Sequence, residues 1–261
     1  MKNDNEIKFT YKGISFQESD SEPTSEREIH SYHEILYVID TDARLLTENG
    51  KQHITGGAAL IIIPKGCYHF FELKSSDKFK RLKATLPCDA IGDFPIAEIF
   101  SSLRIIRPIS EGLLPLLEKM HSGARCDESK RGFYAYAALM MLLAELCEEG
   151  TCEKKSAKSE NPIAKTAEYI SSHPREPLNA EVLARRANLS VSSITHLFKK
   201  ELGISLHRYV TQRRLVLAQN LIGSGHKPTE IYGEVGYKDY SSFYKAYVNY
   251  FGYPPSKNSF K

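Results

Sequence analysis

Between Ile29 and about Leu86 apolar residues gather in short β-branched runs or alternate with polar ones, whereas from Phe94 onward they return every three or four positions. The first pattern predicts strands over 34–39, 43–47 and 57–64, with Glu48-Asn49-Gly50-Lys51 as a hairpin turn. Strands this short at regular spacing imply a barrel or sandwich. The second pattern predicts a helix opening at Gly112-Leu113-Leu114-Pro115-Leu116-Leu117 and a long one over 131–148. Along that long helix Phe133, Tyr136, Ala137, Met140, Met141, Ala144 and Cys147 form a stripe. It either packs on the barrel or, being rich in Met and Ala beyond the barrel's own core, serves as a dimer interface.

Residues 148–161 (EEGTCEKKSAKSEN) are charged, small and free of large apolar side chains, so they read as a linker. Seven helices are expected beyond it. Pro162 opens the first, which runs to 172, and Asn179 caps the second over 180–187. Ser190 caps 192–201, which Gly203 stops. A connector over 206–222 follows, then 229–235, 241–250 and a short tail after Pro255.

Among these helices the same motif occurs twice, 49 positions apart: Ser192-Ser193-Ile194-Thr195-His196-Leu197-Phe198 with Gly203, and Ser241-Ser242-Phe243-Tyr244-Lys245-Ala246-Tyr247 with Gly252. Each copy follows a short helical segment and a turn. That is the layout of a helix-turn-helix, whose second helix enters a DNA major groove. Leu183, Ala184, Leu189, Ile194, Leu197 and Phe198 supply the inner face of the first unit, and Ile231, Val235, Tyr237, Phe243 and Tyr247 that of the second.

Charge sharpens this division. Residues 161–261 hold 14 Lys and Arg against 7 Asp and Glu, a charge of +7, and the first 160 residues carry −4, which together give the chain its +3. A basic half beside an acidic one suits phosphate binding. The apolar runs 58–64 and 135–143 are too short to span a bilayer, and the N-terminus shows no signal pattern, so a cytoplasmic protein without membrane contact is expected. The five cysteines, Cys67, Cys88, Cys126, Cys147 and Cys152, are odd in number and have no framework spacing, which fits a reducing compartment and argues against zinc.

Leu183-Ala184, Leu189-Ser190, Leu197-Phe198-Lys199-Lys200, Gly203-Ile204-Ser205, Arg214 with Ala218 and Leu221, Ile231, Val235-Gly236-Tyr237, Asp239, Ser241, Phe243, Gly252 and Pro255 resemble the AraC/XylS family of transcription regulators over essentially all of 162–256. The chain departs from the family at Tyr232, Tyr247-Val248 and Asn258-Ser259. The resemblance implies two recognition helices about 34 Å apart, one turn of double-stranded DNA, joined by a rigid connector around Arg214. RNA polymerase is an expected partner and activation the expected mode, with the choice between raising and lowering transcription left open by the residues. Carried over residue by residue, base contacts fall on Ser192, Thr195, His196, Tyr240, Ser241 and Lys245, and phosphate contacts on Lys199, Lys200 and Lys238.

In the first half, His30-Ser31-Tyr32-His33-Glu34 and Pro64-Lys65-Gly66-Cys67-Tyr68-His69 resemble the two signature stretches of the cupin barrel, the second more closely. Strand parity puts His30, Tyr32 and Glu34 on one face and His33 on the other, leaving His30, Glu34 and His69 as a convergent set. With Tyr32 these residues offer hydroxyl-matching donors and acceptors, so the expected ligand is an organic effector, a sugar or similar polar metabolite, and no metal or other cofactor.

The expected fold is therefore a cupin-like β-barrel with dimerisation helices (1–147), a linker (148–161) and an all-α domain of seven helices with two helix-turn-helix motifs (162–261). The expected protein is a homodimeric, ligand-responsive regulator and not an enzyme. The alternative is a metal-dependent cupin enzyme fused to a DNA-binding domain.

Overall fold

The computed structural model describes residues 6–20, 27, 29–40, 42–48, 50–73, 79–87, 90, 97–148 and 161–256. The linker between 149 and 160, Asn49 of the hairpin turn, Cys88, Cys152 and Asn258-Ser259 lie outside the described residues.

Nine strands come first: β1 (Ile7–Tyr11), β2 (Ile14–Ser19), β3 (His33–Asp40), β4 (Asp42–Thr47), β5 (Gly50–Thr55), β6 (Ala59–Ile63), β7 (His69–Leu73), β8 (Lys80–Leu86) and β9 (Arg104–Ile106). They form a six-stranded antiparallel sheet in the order β1-β2-β8-β3-β6-β9 and a three-stranded one in the order β5-β4-β7. The period of two along each strand decides what each face buries. Leu36 and Val38 of β3, with Ile61 and Ile63 of β6, pack against Leu45, Ile54 and Phe71 of the small sheet. Ile35 and Tyr37, with Leu60 and Ile62, turn to the other side and meet α1 (Leu113–Ala124) and α2 (Glu128–Glu148). The result is three layers: small sheet, large sheet, helix pair. The closed barrel expected from the sequence is absent, because among the described residues no ladder joins the two sheets. The strand runs themselves were legible, but closure depends on edge pairing that alternation does not encode.

On α2 the core takes Ala135, Ala138, Leu139, Leu142, Leu143 and Leu146. The stripe expected to be the apolar face lies beside it, with Phe133, Met141 and Ala144 exposed and Tyr136, Ala137, Met140 and Cys147 at the margin. Two apolar faces compete on this helix, and the Leu-rich one fits the sheet.

The C-terminal region holds α3 (Pro162–Ser172), α4 (Ala180–Arg186), α5 (Val191–Leu202), α6 (Leu206–Gly223), α7 (Pro228–Ile231) and α8 (Tyr240–Phe251), six helices among the described residues. The tail helix expected after Pro255 falls almost wholly beyond residue 256. Helix α7 ends four residues early, because the chain from Tyr232 turns to Gly236, whose φ of +87° suits glycine. Phe198 of α5 and Phe243 of α8 are fully buried; truncating either to Ala would cost about 3–5 kcal/mol.

Candidate DNA interface and sensing site

Helices α5 and α8 are built alike from the duplicated motif. Ser190 accepts a hydrogen bond from the Ser193 amide at 3.0 Å, and Asp239 accepts one from the Ser242 amide at 2.8 Å, so each helix starts on a side-chain cap. Gly203 and Gly252 end them in the left-handed region at φ +69° and +76°. Below each helix Ile194 and Phe198, or Phe243 and Tyr247, are buried. That fixes which side remains outside: Ser192, Thr195, His196, Lys199 and Lys200 on α5, and Ser241 and Lys245 on α8, with Lys238 exposed just before it.

Two of these side chains are already engaged. Thr195 donates its hydroxyl to Val191 O at 2.7 Å, which leaves its methyl and lone pairs outward. Tyr240 is half-buried against Tyr232, Phe243 and Tyr244. The sequence expectation passed over Val191, which is 41% exposed in the first turn of α5. It occupies the place of Tyr240 in the other copy, a correspondence the 49-residue offset contains. An aliphatic group there suits a thymine methyl.

Arg214 of α6 joins the two units. Its guanidinium donates to Pro174 O (3.2 Å) and Glu176 O (3.0 Å), before α4, and to Gly236 O (3.2 Å) in the turn before α8. A Cβ on Gly236 would stand 2.5 Å from Arg214 Cζ and push the guanidinium aside, and the φ of +87° there itself favours glycine. Arg175 and Glu234 pair across the same gap at 2.6 Å.

In the N-terminal region the structure brings together His30, Glu34 and His69, all buried or nearly so. One donor atom from each lies within 4.8 Å of the others, an arrangement able to hold a metal ion. Tyr32 stacks on His30 with ring centroids 4.0 Å apart. Burial alone would raise the Glu34 pKa, but His30, His69 and Lys83 hold it well below the usual carboxylate range. His33 points to the opposite face, 4.2 Å from the ring of Phe100, and burial lowers its pKa to about 4.

A family of helix-turn-helix domains matches residues 183–258. The Msm operon regulatory protein of Streptococcus mutans is 32% identical over 123 residues, covering 46% of this chain and 44% of that protein. The transcriptional activator RhaS of Escherichia fergusonii is 23% identical over 244 residues, covering 87% of this chain and 84% of that protein. Residues 183–258 are an AraC-type helix-turn-helix domain. The chain spans less than half the length of the first curated relatives it matches. Among solved structures, ToxT of Vibrio cholerae aligns over 97% of this chain and 95% of that chain at 10% identity and a TM-score of 0.43. No described helix is long and apolar enough to cross a membrane.

The AraC-type domain meets the sheets along α6. Glu48 accepts from Tyr209 Oη at 2.8 Å, from the Tyr68 amide at 3.3 Å and from Arg213, which also donates to Gly66 O. Tyr68 Oη donates to Leu202 O at the end of α5, and Ser31 to Gln219. Tyr250 of α8 exchanges hydrogen bonds with the Ile29 main chain, and Gln212 donates to Arg27 O at 2.9 Å. Ile29 and Tyr68 belong to the same apolar cluster as Phe198 and Tyr209. None of these contacts was expected from the sequence. The available signal was slight, since glutamines at 212 and 219 are polar side chains that by themselves name no partner in the first half of the chain.

Proposed function

We propose that this protein is a sequence-specific transcription regulator that binds double-stranded DNA through α5 and α8 and responds to a small polar metabolite held by His30, Tyr32, Glu34 and His69. It comprises a sensing region up to residue 147, a linker and an AraC-type region from residue 162. The observation that carries the proposal is the pair of separately capped recognition helices, outward polar side chains on each, tied together by Arg214. Relatives named as an operon regulator and a transcriptional activator support a cytoplasmic role alongside RNA polymerase. A sugar is the effector class whose hydroxyls the imidazole, phenol and carboxylate groups of His30, Tyr32, Glu34 and His69 would match.

Phe133, Tyr134 and Met141, exposed by 61, 53 and 55% on the outer side of α2, support a homodimer formed through that helix. An enzymatic role finds no support in the described thiol nearest the site. Cys67 lies beside His69, but burial pushes its thiol pKa far up, and it packs in the apolar layer instead.

The test is selection of duplexes from a randomised pool. His196→Ala changes the preferred bases in one half-site, while Lys199→Ala weakens all sequences alike and flattens the salt dependence. The reverse pattern refutes the assignment.

A further inference from the structure

The 49-residue offset pairs each outward position of α5 with one on α8, and the two helices differ there in kind. Val191 corresponds to Tyr240, Thr195 to Tyr244, Lys199 to Val248 and Lys200 to Asn249. Positions four apart share a face of a helix. On α5 that face carries two small side chains, Val191 and a Thr195 whose hydroxyl hydrogen is taken up by Val191 O. On α8 it carries two tyrosines, and the two lysines in the last turn of α5 have no counterpart.

Tyr244 is 40% exposed, the only exposed Phe or Tyr among the described residues of the AraC-type region. Its ring is backed by that of Tyr240, with centroids 6.1 Å apart. Tyr240 in turn meets Phe243 at 5.9 Å and Tyr232 at 6.1 Å. Phe243 is fully buried, and Tyr232 and Tyr240 stand at the margin of the apolar cluster beneath α8. A row of rings therefore runs from the core to the outward face. Tyr232 is one of the positions at which this chain departs from the AraC/XylS pattern, so the row belongs to this chain and not to the family at large.

A phenol ring offers apolar surface and one hydroxyl, and lacks the paired donors with which arginine or glutamine reads a base edge. In the major groove the one apolar group that distinguishes a base is the C5-methyl of thymine. A ring already held by its neighbours also loses little freedom on contact. We propose that Tyr244 sets the sequence of the second half-site by laying its ring against a thymine methyl, with Tyr240 and Tyr232 as positioning residues behind it. The proposal rests on the DNA reading given to α8 above. It makes the two half-sites unlike: the first is met by small and hydrogen-bonding groups with cations at the helix end, the second by aromatic surface.

Duplexes are selected from a randomised pool with the full-length protein. Each thymine of the selected sequence is then replaced singly by deoxyuridine, which removes the methyl group and keeps every hydrogen-bonding atom. Burial of one methyl corresponds to about a fourfold change in affinity. One thymine of the second half-site is expected to show that loss in the wild type and in Tyr244→Phe, which keeps the ring, and to show none in Tyr244→Ala. Tyr232→Ala is expected to abolish the same sensitivity and Tyr232→Phe to retain it. Preference for the first half-site persists in all four variants, which reports an intact fold. A second half-site without thymine, deoxyuridine tolerated throughout it, or a loss that survives Tyr244→Ala overturns the role of Tyr244, and a loss indifferent to Tyr232→Ala overturns the positioning role. Preference confined to the first half-site overturns this proposal alone, whereas no preference in either half-site overturns the DNA reading on which it rests.

Discussion

Replacing Glu48 by Ala strips a buried guanidinium of its counter-charge. The Arg213 and Glu48 side chains are only 11% and 17% exposed, and the carboxylate also takes hydrogen bonds from Tyr209 and the Tyr68 amide. Removing one partner of a buried pair costs about 3–5 kcal/mol because the other charge stays unpaired. Arg213 keeps Gly66 O and Tyr209 Oη as acceptors, so the lower end, about 3 kcal/mol, is expected here. Arg213→Ala leaves the carboxylate with two remaining donors and costs somewhat less. The double variant leaves no orphan charge, so its cost falls short of the two single costs together by about 1–3 kcal/mol. Urea unfolding of the full chain measures the free energies, followed by probes in both halves since two transitions are possible. Hydrogen exchange locates the effect, with faster exchange along α6 and at residues 64–68 in each single variant. Additive costs below about 0.5 kcal/mol each, with unchanged exchange on α6, would refute the claim that this pair ties the sheets to the DNA-binding helices.

Other measurements follow from the same structure. Asp239 caps α8, and its pKa is lowered from 3.8 by hydrogen bonds from the Ser242 amide and hydroxyl. A depressed carboxylate contributes stability above its unfolded pKa and loses it as the pH falls further, so the helical region weakens below about 3.8. Asp239→Asn keeps the cap and abolishes that portion of the slope, and an unchanged slope by circular dichroism counts against it. Phe133→Glu with Met141→Lys places charge on the open side of α2 without touching its buried face. Light scattering is expected to show a wild-type dimer reduced to monomer, and a dimer that persists rules out this surface.

The sequence carried the C-terminal region far better than the N-terminal one. Caps at Asn179 and Ser190 and the stop at Gly203 are local signals, each satisfied within a few residues, and the helices begin and end close to where those signals stand, while Asp239 and Gly252 play the same parts on α8 without having been read as such. The strand parity that set Glu34 against His33 was equally local, since side chains alternate whatever the sheet becomes. Sheet closure was not legible, because it depends on which edges pair. On α2 the choice between two apolar faces was made by Leu139, Leu142 and Leu146 meeting a sheet whose shape the helix does not specify. Glu48 shows the same limit from another side. Its place in a hairpin turn was readable, but its partner Arg213 stands 165 residues away.

Because a single guanidinium grips both the segment before α4 and the turn before α8, the separation of the two reading heads is a property of the folded chain and is not adjusted for each target. An altered letter in an operator can be met by exchanging one exposed side chain on α5 or α8. An inserted base pair cannot, since it rotates the second half-site by roughly 35° out of reach. On the proposed reading of DNA by α5 and α8, binding sites for this protein vary in spelling while their spacing stays constant, and a search of genomic DNA for them should hold that interval fixed.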